Sequence, residues 1–264
     1  MSAAASGSAP EVGGWQPRWR SLAQGVLRVN SDQGEQQLLD TLTQPSEPLM
    51  VAFVNAHAMN SVAHDPRFYR ALMEADIVLR DGIGMDILFR LLKQVPGLNL
   101  NGTDLIPKII RRYAGRPIAL FGTQEPYLAR AAGRVTGELA PGGECITAHG
   151  FLETADYLRL AAAHKSELIV LGMGMPRQEE VAVMLRAALD HPCLIVCGGA
   201  IIDFLGGKTT RAPRWVRGMH LEWAWRLALE PKRLFRRYVM GNPLFLARAF
   251  TLAATSSRAD RTSS

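Results

Sequence analysis

The chain has little of what metal and disulfide frameworks require. Its 264 residues include three cysteines, Cys145, Cys193 and Cys197, an odd number with no CxxC pair. That argues against a disulfide scaffold or a zinc knuckle and fits a reducing compartment. The six histidines show no HExxH spacing, and no DxD occurs anywhere. The carboxylate pair that commonly bridges a divalent ion to a diphosphate is therefore missing, and neither a metal nor a cofactor is expected. No GxxxxGK[ST] is present. The GxG pieces Gly82-Ile83-Gly84 and Gly172-Met173-Gly174 do not complete GxGxxG, because Ile87 and Arg177 hold the sixth positions. This disfavours a nucleotide-dependent oxidoreductase. No run of about 18 apolar residues exists, so no membrane-spanning helix is expected. The first residues lack the apolar core of a signal peptide. Residues 1–30 are expected to be a mobile lead-in, and the polar stretch 251–264 a disordered tail.

What is present is unevenly distributed. The formal charge is +6, yet ten basic residues and only two acids, Glu222 and Glu230, lie between Lys208 and Arg248. A negatively charged partner is expected there: nucleic acid, anionic lipid or a phosphate-bearing substrate. The same segment interleaves Trp215, Trp223, Trp225, Leu227, Leu229, Leu234, Phe235 and Tyr238 with its arginines. Apolar and aromatic side chains beside cations describe a segment that lies in a membrane interface. No RRM, KH or zinc pattern accompanies it, so no nucleic-acid partner is expected. Pro231 divides the segment into two short helices, with Pro231 near the start of the second.

Between residues 31 and 207, short apolar runs alternate with helical patterns. Strands are expected at 49–54, 76–79, 117–122, near 145–148, at 167–172 and at 193–199. Helices are expected across 59–75 with a break at Pro66, and over 85–94, 104–114, 125–138, 154–164 and 177–189. This order implies a Rossmann-like α/β fold, a parallel sheet covered by helices on both faces. The domain plan is an α/β catalytic core over 31–207 and a basic amphipathic helical appendage over 208–250.

Ligands of such sheets bind beyond the carboxyl ends of the strands. The loops there carry "NAHAMN", "RDGIG", "FGTQEP", "LGMGMPRQEE" and "CGGAIIDFLGGK". Glycine beside short polar residues lets backbone amides approach a phosphate. Each piece also has an ordinary structural reading. Asp81-Gly82 is a common turn pair. Asn55 suits a helix cap, and His57 suits a surface or capping position. Gln178 and Glu179 suit the first turn of a helix, and Asp203 a turn before Gly206-Gly207.

Taken in order, these segments resemble the WecG/TagA/CpsF family of bacterial glycosyltransferases. The resemblance runs from about Val51 to Leu246. It is carried by "VNAHAMNSVAHDPRFYRALMEADIVLRDGIGMD", "NGTDL", "LGMGMPRQEE", "GGAIIDFLGGKTTRAPRW" and "LEWAWRLALEPKRLFRRYVMGNPLF". It implies metal-independent, inverting transfer of a sugar from a UDP-sugar to a polyprenyl-diphosphate-linked sugar. The implied place is the cytoplasmic face of the bacterial inner membrane, by peripheral contact, with oligomers allowed. Among subtypes, "NAHAMN" is similar to a glucosyl-transferring member of xanthan-type exopolysaccharide assembly, with β-1,4 transfer from UDP-glucose. Transfer of N-acetylmannosamine or its uronic acid is the alternative within the family. A non-catalytic RNA- or anionic-lipid-binding protein is the alternative outside it.

By this resemblance Asp81 is the catalytic base. Substrate-binding positions fall on Asn55, Gly82, Gly84, Thr103, Asp104, Gly122, Gly172, Gly174, Gln178 and Asp203. Arg226, Arg233 and Arg236 match arginines that approach the diphosphate. The chain departs from the family at Asn99, where an Arg is frequent, at Ile202, where a Phe is, and at Phe53-Val54, where Thr-Pro is usual. The chemistry is coherent with this set. One base takes the acceptor proton, worth about 10²–10⁴-fold. Without a metal, arginines and loop amides must stabilise the leaving diphosphate.

Overall fold

The computed structural model describes residues 13–219 and 221–262. Among them, seven strands form one sheet: β1 (Val26–Leu27), β2 (Leu49–Val54), β3 (Ile77–Arg80), β4 (Ile118–Gly122), β5 (Cys145–Ala148), β6 (Leu168–Gly172) and β7 (Leu194–Cys197). Their order is β1-β3-β2-β7-β6-β4-β5, and every pair is parallel. Alternate residues of each central strand enter opposite cores. Met50, Ala52 and Val54 join one buried cluster, whereas Val51 and Phe53 join the other. Both faces are thus buried, which is why β2, β6 and β7 read as unbroken apolar runs rather than as alternating ones.

The expected helices form with small shifts at their ends. The pattern across 59–75 is two helices, Ala56–His64 and Pro66–Met73. Asp65 divides them by accepting hydrogen bonds from the Arg67 and Phe68 amides, with Pro66 in the first turn. The helix expected at 125–138 is α-helical over Tyr127–Arg134 and continues as a π turn over Val135–Leu139.

The chain is ordered well outside the expected core. Residues 1–12 lie outside the described residues, but Trp15–Gly25 is a helix and Val26–Leu27 pairs with β3, so the mobile lead-in is corrected from residue 15 onward. Trp19 is fully buried, donates from Nε1 to the Met59 carbonyl at 2.6 Å and packs on Phe245. Trp15, Trp19, Leu22 and Val26 are four, three and four apart, the spacing of a helix face. A second helix absent from the expected set, Asp32–Thr43, is capped by the Ser31 hydroxyl, which accepts from the Gly34 amide.

The C-terminal segment contains Arg214–Gly218, Glu222–Leu229 and Pro231–Phe235, with the break at Pro231 as expected. A π turn over Arg236–Met240 leads into the helix Gly241–Thr262. That helix returns to the core, packs on the helices Ala56–His64 and Ile83–Leu91, and buries Phe245, Ala249 and Leu252. The last part of the expected appendage therefore belongs to the core, and the tail expected to be disordered from 251 continues the helix. Among the described residues no helix is long and apolar enough to cross a membrane.

Trp19 joins the first helix, the helix Ala56–His64 and the last helix. Trp19→Ala should cost about 3–5 kcal/mol of unfolding free energy, the range for emptying a buried aromatic site. Denaturant titration measures it, and a cost below about 1 kcal/mol would show that the first helix is only loosely attached.

Candidate active site

The cleft lies at the carboxyl ends of β2, β3, β6 and β7. The chain crosses from β3 to β4 over the middle of the sheet, so strands on the two sides are followed by loops that diverge there. Its volume is about 290 Å³. Helices Ala56–His64, Gly102–Arg112 and Arg177–Ala188 all start at this edge, and His57, Gly102, Thr103 and Gln178 from their first turns line the cleft. Their N-terminal dipole ends favour an anion there.

Asp81 and Asn55 are set together by strand register. Val54 pairs with Arg80, and the Asp81 amide donates to the Val54 carbonyl at 2.8 Å. The next side chain of each strand therefore meets across the gap. Asn55 Nδ2 donates to Asp81 Oδ2 at 3.3 Å, while Asn55 Oδ1 accepts from the Ala58 amide at 3.0 Å. Asn55 is thus both the helix cap and a fixed neighbour of the carboxylate. Beyond Asp81, Gly82 turns with φ 85, a left-handed value that favours glycine, and its amide donates to Asn99 Oδ1 at 2.9 Å. Arg80 holds the same loop by donating to the Gly97 carbonyl. Asn99, the departure from the family Arg, is in this way a backbone anchor beneath Asp81.

Gln178 closes the opposite wall and is 1% exposed. Its Oε1 accepts from the Gly174 amide at 3.3 Å and from the Gly199 amide at 2.9 Å, tying the loop after β6 to the loop after β7. Those two amides are consumed inside the protein. Gln178 Nε2 donates to Glu179 Oε1 at 2.8 Å. This contact orients the Gln178 amide so that its oxygen faces both glycines. Glu179 is itself fully buried, and its Oε2 has no partner. Burial pushes the Glu179 carboxyl up to about 8.

The third wall comes from the C-terminal segment: Arg226, Arg233 and Arg237. Arg233 pairs with Glu230 at 2.5 Å. Arg226 and Arg237 form no ion pair among the described residues, and the Nε of each is buried without a hydrogen-bond partner. The Arg226 guanidinium lies 5.7 Å from the Phe204 ring centroid, and that of Arg237 lies 5.4 Å from the Tyr238 centroid. Burial lowers the Arg237 pKa from its ordinary value, which still leaves a cation at neutral pH. His57 is pushed down to about 4, first by burial and then by the charge of Arg237, so its imidazole is neutral under ordinary conditions.

Of the residues named from sequence, Asp81, Asn55, Thr103, Gly172, Gly174, Gln178, Asp203, Arg226 and Arg233 line the cleft. Gly82, Gly84, Asp104, Gly122 and Arg236 do not. Gly84 lets Ala56 and Phe245 pack, since a Cβ there would meet them at 3.0 and 3.4 Å. A Cβ on Gly122 would lie 2.4 Å from the Gly172 carbonyl oxygen, so its role is close strand packing. Asp104 receives Arg211 at 2.6 Å and Arg217 at 3.7 Å, which latches the C-terminal segment to the core. Arg236 is exposed, whereas its neighbour Arg237 reaches the cleft. The π turn that starts at Arg236 changes the angular step between residues, which simple helix counting does not anticipate. Phe204 and the Gly198-Gly199 loop also line the site without having been singled out residue by residue. Among the described residues no group of three or more His, Cys, Asp or Glu side chains gathers as a metal site.

Comparison with known proteins agrees with this architecture. A family model described as "Glycosyl transferase WecG/TagA/CpsF family" matches residues 22–259. An N-acetylglucosaminyldiphosphoundecaprenol N-acetyl-beta-D-mannosaminyltransferase of Staphylococcus aureus (strain MRSA252) is 24% identical over 213 residues, covering 77% of this chain and 80% of the relative. A protein of the same name from Bacillus spizizenii is 27% identical over 176 residues, covering 64% of this chain and 66% of its own length.

The buried carboxyl gives a pH prediction. A carboxyl raised from 4.5 to about 8 favours the folded state fully below the unfolded value and loses that contribution as pH rises toward 8. Glu179→Gln should keep stability at pH 5 within about 1 kcal/mol and flatten the decline between pH 4.5 and 8. Denaturant unfolding across a pH series checks this, and an unchanged slope in the variant would contradict it.

Proposed function

Because the chain belongs to the WecG/TagA/CpsF family of glycosyl transferases, we propose that it moves a hexose from a UDP-sugar to a sugar carried on a polyprenyl diphosphate. The observation that carries this reading is one cleft holding Asp81 together with two guanidinium groups that have no carboxylate partner among the described residues. Asp81 takes the proton of the acceptor hydroxyl as the oxygen attacks the anomeric carbon. The electron pair of the breaking bond goes to the leaving diphosphate. Arg226 and Arg237, with the helix N-termini at this edge, meet that charge. Asn55 keeps the Asp81 carboxylate turned toward the acceptor by donating to one of its oxygens. Attack from the face opposite the diphosphate inverts the anomeric centre and gives a β-linkage.

The donor we favour is UDP-glucose, added in β-1,4 linkage during exopolysaccharide assembly of the xanthan type. Its supports are the "NAHAMN" segment at the cleft and Asn99, which stands where an Arg is frequent and spends its oxygen on a backbone amide. A uronic acid would need a cation that Asn99 does not provide. N-acetylmannosamine is the second reading, and the names of the relatives favour it. A panel of UDP-sugars with a short-chain prenyl-diphosphate sugar, read by UDP release and product mass, decides between them.

The lipid acceptor brings the protein to the cytoplasmic face of the inner membrane. Trp215, Met219, Leu229, Phe235, Val239 and Met240 are exposed around the basic segment that supplies the arginines. Apolar side chains enter the headgroup boundary while cations add about 1 kcal/mol each near an anionic surface. The segment that faces the headgroups is thereby the same one that carries the arginine wall of the cleft. A basic RNA-binding protein without catalysis would leave Asp81 without a use.

Asp81→Asn should lower kcat by at least about 10²-fold while UDP affinity, measured by calorimetry, changes less than about threefold. Near-normal turnover in the folded variant would return Asp81 to a turn residue. Arg226→Ala and Arg237→Ala should each reduce kcat/KM by about 10²-fold, and Arg236→Ala by less than about threefold. All three should bind anionic vesicles nearly as the parent does, since each removes one of many surface charges. Equal losses for Arg236→Ala and Arg237→Ala would refute the assignment of the cleft arginines.

A further inference from the structure

A second hollow of about 400 Å³ opens beside the first, lined by Asp203, Lys208, Thr209, Thr210, Leu229, Glu230 and Arg233. It shares Asp203 and Arg233 with the arginine cleft. Its charge pattern is different in kind. Lys208 Nζ lies 3.2 Å from Asp203 Oδ1, and Arg233 Nε lies 2.5 Å from Glu230 Oε2. Each cation here already has its own carboxylate, whereas Arg226 and Arg237 next door have none among the described residues. A compensated hollow gains little from an anion, so the diphosphate has no reason to enter it. Its lining instead brings donors and acceptors together. Carboxylates accept, ammonium and guanidinium donate, and the two threonine hydroxyls do both. Leu229 adds an apolar surface at the same place.

We infer that this hollow is the subsite for an uncharged hexopyranose ring whose diphosphate occupies the adjacent arginine cleft. Every sugar hydroxyl both donates and accepts, which neighbouring carboxylate, hydroxyl and cation groups satisfy. The C–H face of a pyranose covers an apolar side chain such as Leu229. The volume lies within the range of about 300–1,000 Å³ usual for small-molecule sites. Lys208 is positioned from two sides: Nζ reaches Thr123 Oγ1 at 3.4 Å and lies 5.9 Å from the Tyr127 ring centroid. Thr123 also donates to Asp203. The polar rim of the hollow is therefore built from Asp203, the loop after Leu205, and Glu230 and Arg233 of the C-terminal segment, with Lys208 and Asp203 braced by Thr123 at the end of β4. The ring belongs either to the donor or to the acceptor, since both carry a hexose on a diphosphate. This inference rests on the glycosyl-transfer reading above.

The test uses the full-length protein with a UDP-hexose and a short-chain prenyl-diphosphate hexose. Thr209→Val, Thr210→Val and Lys208→Met are compared with the parent for both KM values, for kcat and for competitive inhibition by UDP, which has no hexose. The loss of one or two hydrogen bonds should raise a single KM on the order of tenfold, with UDP inhibition within about twofold of the parent. A rise confined to the donor KM assigns the donor hexose, and a rise confined to the acceptor KM assigns the acceptor hexose. Both KM values unchanged, or UDP inhibition weakened in step with the donor KM, would overturn the subsite. Failure of the underlying reading is visible separately, as a parent protein that releases no UDP from any hexose donor.

Discussion

Two half-buried guanidinium groups with no carboxylate partner among the described residues are the constraint around which this molecule is arranged. Removing a cation from water is costly unless an anion or a set of acceptors replaces the lost hydration. Arg226 and Arg237 receive partial compensation from the ring faces of Phe204 and Tyr238, and Arg237 also from the charge of Asp81. Elsewhere the same segment pairs its cations: Arg211 and Arg217 with Asp104, Lys208 with Asp203, and Arg233 with Glu230. The pairs to Asp104 and Asp203 hold the segment on the core, and Arg233–Glu230 lies within it. The unpaired ones keep a charge available for a ligand.

The sheet supplies the rest of the geometry. A parallel sheet sends every strand into its loop at the same edge, so the N-termini of the helices Ala56–His64, Gly102–Arg112 and Arg177–Ala188 and their first-turn side chains converge there. The β2–β3 register then sets Asn55 beside Asp81, and the hydrogen bonds from Gly82 to Asn99 and from Arg80 to Gly97 fix the turn that follows. On the other side, Gln178 joins two glycine loops while buried Glu179 fixes the direction of its amide. Hydrogen bonds inside the protein tie these walls together, while Glu179 Oε2 and the Nε atoms of Arg226 and Arg237 are left without partners among the described residues.

Much of this was legible because it followed from periodicity. Apolar runs marked β2, β3, β6 and β7, and the carboxyl ends of those strands located Asn55, Asp81, Gln178 and Asp203. Pro231 marked the break in the basic segment. The first helix was hidden by composition, since small residues, Pro and Gly precede a correctly spaced Trp15, Trp19 and Leu22. Arg237 was hidden by a π turn, which displaces side chains from their α-helical positions. Asp104, Gly84 and Gly122 stand near the site in sequence but serve packing or latching. Separating those roles requires knowing which atoms lie opposite, and one-dimensional spacing does not carry that. The return of the last helix to bury Phe245 beside Trp19 is likewise a tertiary contact between opposite ends of the chain.

The central claim is that the uncompensated arginines receive the diphosphate with Asp81 across the same cleft. An experimental structure of the protein with UDP tests this most directly. The account predicts both phosphates within hydrogen-bonding distance of the Arg226 and Arg237 guanidinium groups, on the Asp81 side of the cleft, with the hollow beside Lys208 left free. UDP bound away from Arg226 and Arg237, or with its phosphates seated on Lys208, would contradict it.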